Sequence, residues 1–186
     1  MISKFFSLDG RPYVNNAIVL AEVLSLAVDT FGGVKNLNIK FKKPLTSQAN
    51  LEFSTTPLNG DAIGSFDVPN FKFYFAYTQV EGKLLDSNSA SDKLTYFDLC
   101  YGIQGRDEVQ FEYEKEFGPI GNAKVIVAMI EVPDTEFANK IIKSGVMPKV
   151  ELSPIKHTGN KRYQYNIMLD NTLFSTRYCS VKEFNI

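Results

Sequence analysis

Between residues 15 and 31 the apolar positions follow a period near 3.6, and no Gly or Pro interrupts them. Most of the helical circumference is apolar. The polar exceptions Glu22, Ser25 and Asp29 fall at spacings of three and four, with Asn15 on the same side, so they share one narrow stripe. Both ends carry signals: Asn15 or Asn16 can accept from an early backbone N–H, and Gly32-Gly33 permits the left-handed turn that stops a helix. The pattern predicts a mostly enclosed helix with a single polar seam.

After Gly33 the period drops to two. Leu37, Ile39 and Phe41 alternate with Asn38 and Lys40 as far as Pro44, and Leu51 and Phe53 mark a second strand. Residues 57–64, with Pro57, Asn59, Gly60 and Gly64, are expected to form a turn-rich connection. Phe71, Phe73, Phe75 and Tyr77 alternate next. A turn near Glu81-Gly82 and a return over 83–91 then predict an antiparallel hairpin with one aromatic face. In the second half, 109–117, 124–132, 149–155, 162–169 and 172–181 read as strands, and only 135–144 reads as a short helix. Tyr163, Tyr165 and Ile167 before Asp170-Asn171 echo Phe73, Phe75 and Tyr77 before Glu81-Gly82. The echo is either a degenerate repeat or the ordinary likeness of two amphipathic hairpins, because the second half shows no counterpart to the long helix. One helix against a large antiparallel sheet, an α+β fold, is the expected architecture.

Composition narrows the class. In 186 residues the hydrophobic share is 44% and the aromatic share 13%, with 15 Phe and 9 Tyr, which is a folded rather than a disordered chain. The formal charge of −1 provides no bulk field to draw in nucleic acid or an anionic membrane. Ser3, Lys4, Ser7 and Asp9 break up the first residues before a secretory apolar run can form, and Ala17 to Ala21 is far short of the ~20 residues of a membrane span. A soluble cytoplasmic protein is expected, with Cys100 and Cys179 as reduced thiols or, alternatively, a single bridge.

Candidate chemistry centres on Glu22. A carboxylate in the middle of an apolar helix is costly to bury unless it is paired or neutralised, and such a group suits general-base work. The alternative is that Glu22, Ser25 and Asp29 form the solvated stripe of a surface helix. His157, the single histidine, lies in a predicted turn, and any Ser-His or Cys-His system would have to rest on it. No zinc spacing, EF-hand, P-loop or dinucleotide fingerprint occurs, so no metal or cofactor is implied. Lys40-Phe41-Lys42-Lys43 reads as a solvated strand edge guarded by lysines, or else as a contact for coenzyme A phosphates. Residues 86–92 read as a polar strand end running into a loop, and the row from Phe71 to Tyr77 as sheet core or the lining of an acyl tunnel.

The order of a buried helix followed by antiparallel strands resembles the hot dog fold, in which one long helix is wrapped by a curved antiparallel sheet. Within residues 8–95, Gly10-Arg11-Pro12-Tyr13-Val14-Asn15-Asn16 followed by Leu20-Ala21-Glu22 resembles the G-x-x-H-G-G-x-x-x-x-L-A-E segment of hot dog acyl-CoA thioesterases. By that resemblance Glu22 falls on the catalytic carboxylate, nucleophile or general base. Tyr13 stands where the pattern has His, and Val14 and Asn15 where it has Gly-Gly. The resemblance implies that the helix start, Tyr13, Val14, Asn15 and Asn16, meets the thioester carbonyl. It implies an acyl-CoA or other acyl thioester as partner and no cofactor. Two functions follow: hydrolysis by Glu22, or a non-catalytic acyl-CoA or lipid-binding module acting as sensor, carrier or interaction protein. Hot dog units pair their sheets, so a homodimer is expected, with an internally duplicated chain as the alternative. A single hot dog-like domain over 1–186 is expected, in which 96–186 completes the sheet, supplying the strand that precedes the helix, or is a decayed second repeat.

Overall fold

The computed structural model describes residues 1–7, 12–86, 93–144 and 146–183, with the backbone path alone at 86, 93–103, 142 and 143. In chain order the elements are β1 (Ile2–Ser3), β2 (Phe6–Ser7), α1 (Asn16–Phe31), β3 (Lys35–Phe41), β4 (Ala49–Ser54), β5 (Ala62–Val68), β6 (Phe71–Gln79) and β7 (Leu85–Asp86). The second half adds α2 (Lys93–Phe117), β8 (Ala123–Asp134), α3 (Thr135–Ser144), β9 (Val150–Leu152), β10 (Lys156–Gly159), β11 (Arg162–Leu169) and β12 (Thr172–Glu183).

Among the described residues ten strands form one sheet, ordered β1-β4-β6-β5-β3-β8-β12-β11-β10, with β9 also on β11. All its neighbours are antiparallel. The seam between the halves is β3 against β8, from Lys35↔Asp134 to Lys40↔Met129. Phe53, Phe75, Gly64, Ile39, Ile130, Arg177 and Tyr165 lie opposite one another in one row across the sheet. That face carries the core and meets both long helices, through Glu22 of α1 on Tyr77 and Gly105 of α2 on Tyr165. The opposite face is polar: Tyr178 Oη donates to Glu131 at 2.9 Å, Thr176 Oγ1 to Asn166 at 2.9 Å, and Asn38 Nδ2 to Ser65 Oγ at 2.8 Å. Long helices laid on one face of a large antiparallel sheet make the chain α+β.

α1 begins and ends where its signals lie. Asn15 is the N-cap, its side chain accepting from Ala17 N–H at 2.9 Å, and Gly32 ends the helix at φ 74°, its N–H donating to Val28 O at 2.8 Å. Leu20, Val23, Leu24 and Ala27 are buried.

The second half departs from expectation in one large respect: residues 109–117 are not a strand but the end of α2, so a second long helix exists. Val109 and Tyr113 are buried four residues apart, with Gly105 one turn earlier, while Phe111 is 61% exposed. The alternation of Val109, Phe111 and Tyr113 mimics a strand, but the pairs that form are helical ones: Gln104 on Glu108, Gln110 on Glu114, and Lys115 on both Glu112 and the Phe111 ring. The halves are still not strict copies. In the first, β5, the leading strand of its hairpin, lies beside β3; in the second, the trailing strand β12 lies beside β8.

α2 reaches the sheet through a glycine. A Cβ at Gly105 would stand 2.4 Å from the Tyr165 ring and 2.7 Å from its hydroxyl. In an open helix Gly→Ala stabilises by about 1 kcal/mol, but overpacking a buried ring costs about 1–3 kcal/mol. Gly105→Ala is therefore expected to lower the thermal midpoint, by roughly 2–4 °C per kcal/mol lost, in a calorimetric scan. An unchanged or raised midpoint would show that Tyr165 yields freely.

Four smaller expectations are corrected. β6 pairs with β4 and β5, not with the segment after Glu81-Gly82; the hairpin turns at Pro69-Asn70, where Asn70 adopts φ 78°. The described part of that later segment, β7, pairs parallel with β2, and 87–92 lie outside the described residues. Residues 62–64 belong to strand β5, because a small residue at 64 lets the Phe75 ring lie across it. The lysines of 40–43 do not guard an edge, since β3 is interior; Lys43 pairs instead with Asp61 at 3.5 Å. Two strands precede the helix, β1, which joins the large sheet on β4, and β2, which pairs with β7, so the second half does not supply that strand.

Candidate functional site

Glu22 and Tyr77 are 55 residues apart in sequence and meet because α1 crosses the face on which β6 presents its aromatic row. Tyr77 Oη donates to Glu22 Oε2 at 2.6 Å. Tyr77 is fully buried and Glu22 half-buried, while Ser25 and Asp29 further along the stripe are exposed and bond to each other at 3.3 Å. The polar seam of α1 therefore divides into a solvated end and a carboxylate seated against the core. Burial, followed by the charge and hydrogen bond of Glu22, pushes the Tyr77 hydroxyl well above the usual tyrosine range, so it is a fixed donor.

The other predicted site residues gather at the start of α1. Val14 is buried, and its N–H donates to Leu45 O at 2.7 Å. Asn16 Nδ2 donates to Val127 O at 3.1 Å, which ties the helix start to β8, beside the bulge that β8 makes against β12. Asn15 is occupied as the cap through its side-chain oxygen. Tyr13 is half-buried and already engaged within the protein. Asn16 is the first residue of α1, so its N–H belongs to the positive end of the helix. Gly10, the first residue of the motif, lies outside the described residues.

From Tyr77 the aromatic row continues along the same face. Phe75 and Phe66 are buried; Phe53, partly exposed, touches both, and Phe73 connects Phe66 to two further exposed rings, Phe31 and Phe71. The row is apolar and leads away from the carboxylate towards solvent.

In the second half Tyr165 occupies a comparable place under α2, and its hydroxyl, like that of Tyr163, has no hydrogen-bond partner among the described residues. No carboxylate among the described residues hydrogen-bonds it. Beside it Arg177 is fully buried, and burial pulls its guanidinium down to about 10. Burial likewise pushes the Cys179 thiol up to about 12, and this cysteine is free, which suits a packing residue and not a nucleophile. The Cys100 side chain lies outside the described residues. His157 stacks on Tyr163 at 4.8 Å and faces Glu116 at 3.2 Å on the protein surface; among the described residues no Ser, Thr or Cys hydrogen-bonds it. Among the described residues no three His, Cys, Asp or Glu side chains gather as metal ligands, and no helix is long and apolar enough to cross a membrane.

Sequence reasoning singled out Glu22 as the candidate and did not single out Tyr77, which the structure seats against it. The available signal was a single hydroxyl in an alternating row of phenylalanines. Arg177, a charge within a strand, was also missed.

No family model and no curated protein matches the chain. Among solved structures, it is similar over 98% of its length to an acyl-ACP thioesterase from Bacteroides thetaiotaomicron VPI-5482, of which 96% is covered, at 8% identity and a TM-score of 0.46. It is also similar to a protein described as an oleoyl thioesterase from Lactobacillus plantarum, at 8% identity, covering 100% of this chain and 96% of that one, with a TM-score of 0.43.

Proposed function

We propose that the chain binds an acyl thioester, acyl-CoA in the first instance, beside α1 and hydrolyses it with Glu22 as general base. The observation that carries this reading is a half-buried carboxylate held at 2.6 Å by a fully buried tyrosine, on the helix whose sequence resembles the thioesterase segment. Oε1 of Glu22 takes a proton from water as the water oxygen attacks the thioester carbonyl. The oxyanion is met at the start of α1 by the Asn16 N–H and the helix dipole. The tetrahedral intermediate then expels the sulfur, to which Glu22 returns its proton, so that thiol and carboxylic acid are released and the carboxylate is restored. The rise of about 9 Å from Asn16 to Glu22 leaves room for a carbonyl and one water. The acyl chain lies along the aromatic row from Phe75 towards Phe53 and Phe71.

Within one chain α1 packs against α2, which supports a site built from a single chain, with the homodimer expected from the resemblance as the alternative. An acyl-CoA substrate agrees with the cytoplasmic placement expected from the sequence.

One observation favours the second reading, a non-catalytic acyl-CoA or lipid-binding module: Val14 N–H and the Asn16 amide are spent on Leu45 and Val127, which thins the donors at the helix start. The experiment is direct. Purified protein is incubated with acyl-CoAs of increasing chain length, and free thiol is followed alongside native mass spectrometry. Thiol release supports hydrolysis, a bound acyl-CoA without release supports the binding module, and neither outcome overturns both.

A further inference from the structure

We infer that Tyr77 is the positioning residue of Glu22, taking one carboxylate oxygen so that the other is presented as the single base towards water. This rests on the reading of Glu22 given above. A phenol has one proton to donate, and here it goes to Oε2, so Oε1 is the oxygen left for the reaction. The donor itself cannot wander. Tyr77 lies mid-strand in β6, opposite Leu51 on one side and Ala62 on the other, with the Phe5 ring 5.5 Å away and Phe75 edge-on at 6.3 Å. Phe5 is in turn held through both its N–H and its carbonyl by Gln48. A glutamate on its own turns about three side-chain bonds, and a rigid hydroxyl at 2.6 Å removes that freedom before substrate arrives.

The second half shows that this bond is not simply what a buried tyrosine in this sheet requires. Tyr165 is 1% exposed on the same face under α2, and its hydroxyl is seated with no hydrogen-bond partner among the described residues. Among the described residues, then, the tyrosine there is seated without a carboxylate. At Tyr77 one is present, and it is the residue to which the motif points.

The test is Tyr77→Phe in the intact chain, with palmitoyl-CoA as substrate and thiol release as readout. Loss of orientation predicts kcat lower by about 10- to 100-fold with KM within about twofold. A purely structural tyrosine would lower the melting temperature and leave kcat unchanged, and that result overturns the inference. Should Tyr77→Phe fail to fold, Glu22→Asp asks the same question from the helix. It keeps a carboxylate but withdraws it by one methylene from Tyr77 Oη, so the same loss in kcat is expected, and full activity overturns the inference. A wild-type protein that releases no thiol from any acyl-CoA overturns the hydrolytic reading and this inference with it. An active wild type with unaffected Tyr77→Phe overturns this inference alone.

Discussion

Replacing Glu22 by Gln is expected to lower kcat for acyl-CoA hydrolysis by roughly 10²–10⁴-fold while the melting temperature stays within a few degrees of wild type. The substitution is nearly isosteric. The amide oxygen of Gln can still accept from Tyr77 Oη, so the buried phenol keeps its partner and the packing of Phe5 and Phe75 around it is undisturbed. What disappears is the ability of the second oxygen to take a proton from water. Steady-state kinetics and a thermal scan on the same preparation separate the two effects. Equal rates in Glu22→Gln and wild type would remove Glu22 from the chemistry, whatever the protein binds. If acyl-CoA stays bound to both proteins in native mass spectra and neither turns it over, the binding-module reading is the one that survives.

Sequence and structure agree where one period dominates a segment and its ends are marked. α1 has both a cap and a stop, and its polar residues Glu22, Ser25 and Asp29 keep a helical spacing although Ile18, Val19, Val23 and Val28 are strand formers by themselves. β11 alternates cleanly as far as Asp170-Asn171, whose φ values of 48° and 62° make the turn into β12. Legibility fails where two periods coexist. In α2, Val109, Phe111 and Tyr113 satisfy a period of two, while Gly105, Val109 and Tyr113 satisfy a period of four. The helical reading fits the sheet beneath, because the Tyr165 ring lies where a Cβ at residue 105 would stand. β8 shows the converse case. Val127 and Ile130 both face the helices although they are three apart, because a bulge lies between them. No local rule locates that bulge; it is visible only once β12 is paired.

The candidate site was legible in one half. The stripe on α1 and the Leu20-Ala21-Glu22 triplet identify the carboxylate, because a charge on a buried helix is conspicuous by itself. Its partner is a matter of topology: β6 must be central, between β4 and β5, before Tyr77 can lie beneath Glu22. The donors at the helix start were misjudged for the same reason. Leu45 and Val127, which take up Val14 N–H and the Asn16 amide, come from a loop after β3 and from the second half of the chain.

That central placement of β6 depends on one position, and Gly64→Val is expected to cost at least about 3–5 kcal/mol, enough to leave little folded protein at 37 °C. Valine is a better strand residue than glycine, so in open space the change would stabilise the protein. Here a Cβ would stand 2.1 Å from the Asn38 carbonyl oxygen and 2.2 Å from the Phe75 ring. The ring is a side chain and has some room to swing. The carbonyl belongs to β3, which is hydrogen-bonded to β5 on one side and to β8 on the other, so relieving the clash means prising open the seam between the two halves. Urea unfolding of Gly64→Ala measures the smaller step, and Gly64→Ala with Phe75→Leu tests which contact matters. Removing the ring should restore only part of the loss, because the carbonyl contact remains. Complete rescue would place the whole cost on Phe75, and a loss below about 1 kcal/mol for Gly64→Val itself would mean that β3 and β5 are held far more loosely than their shared ladder requires.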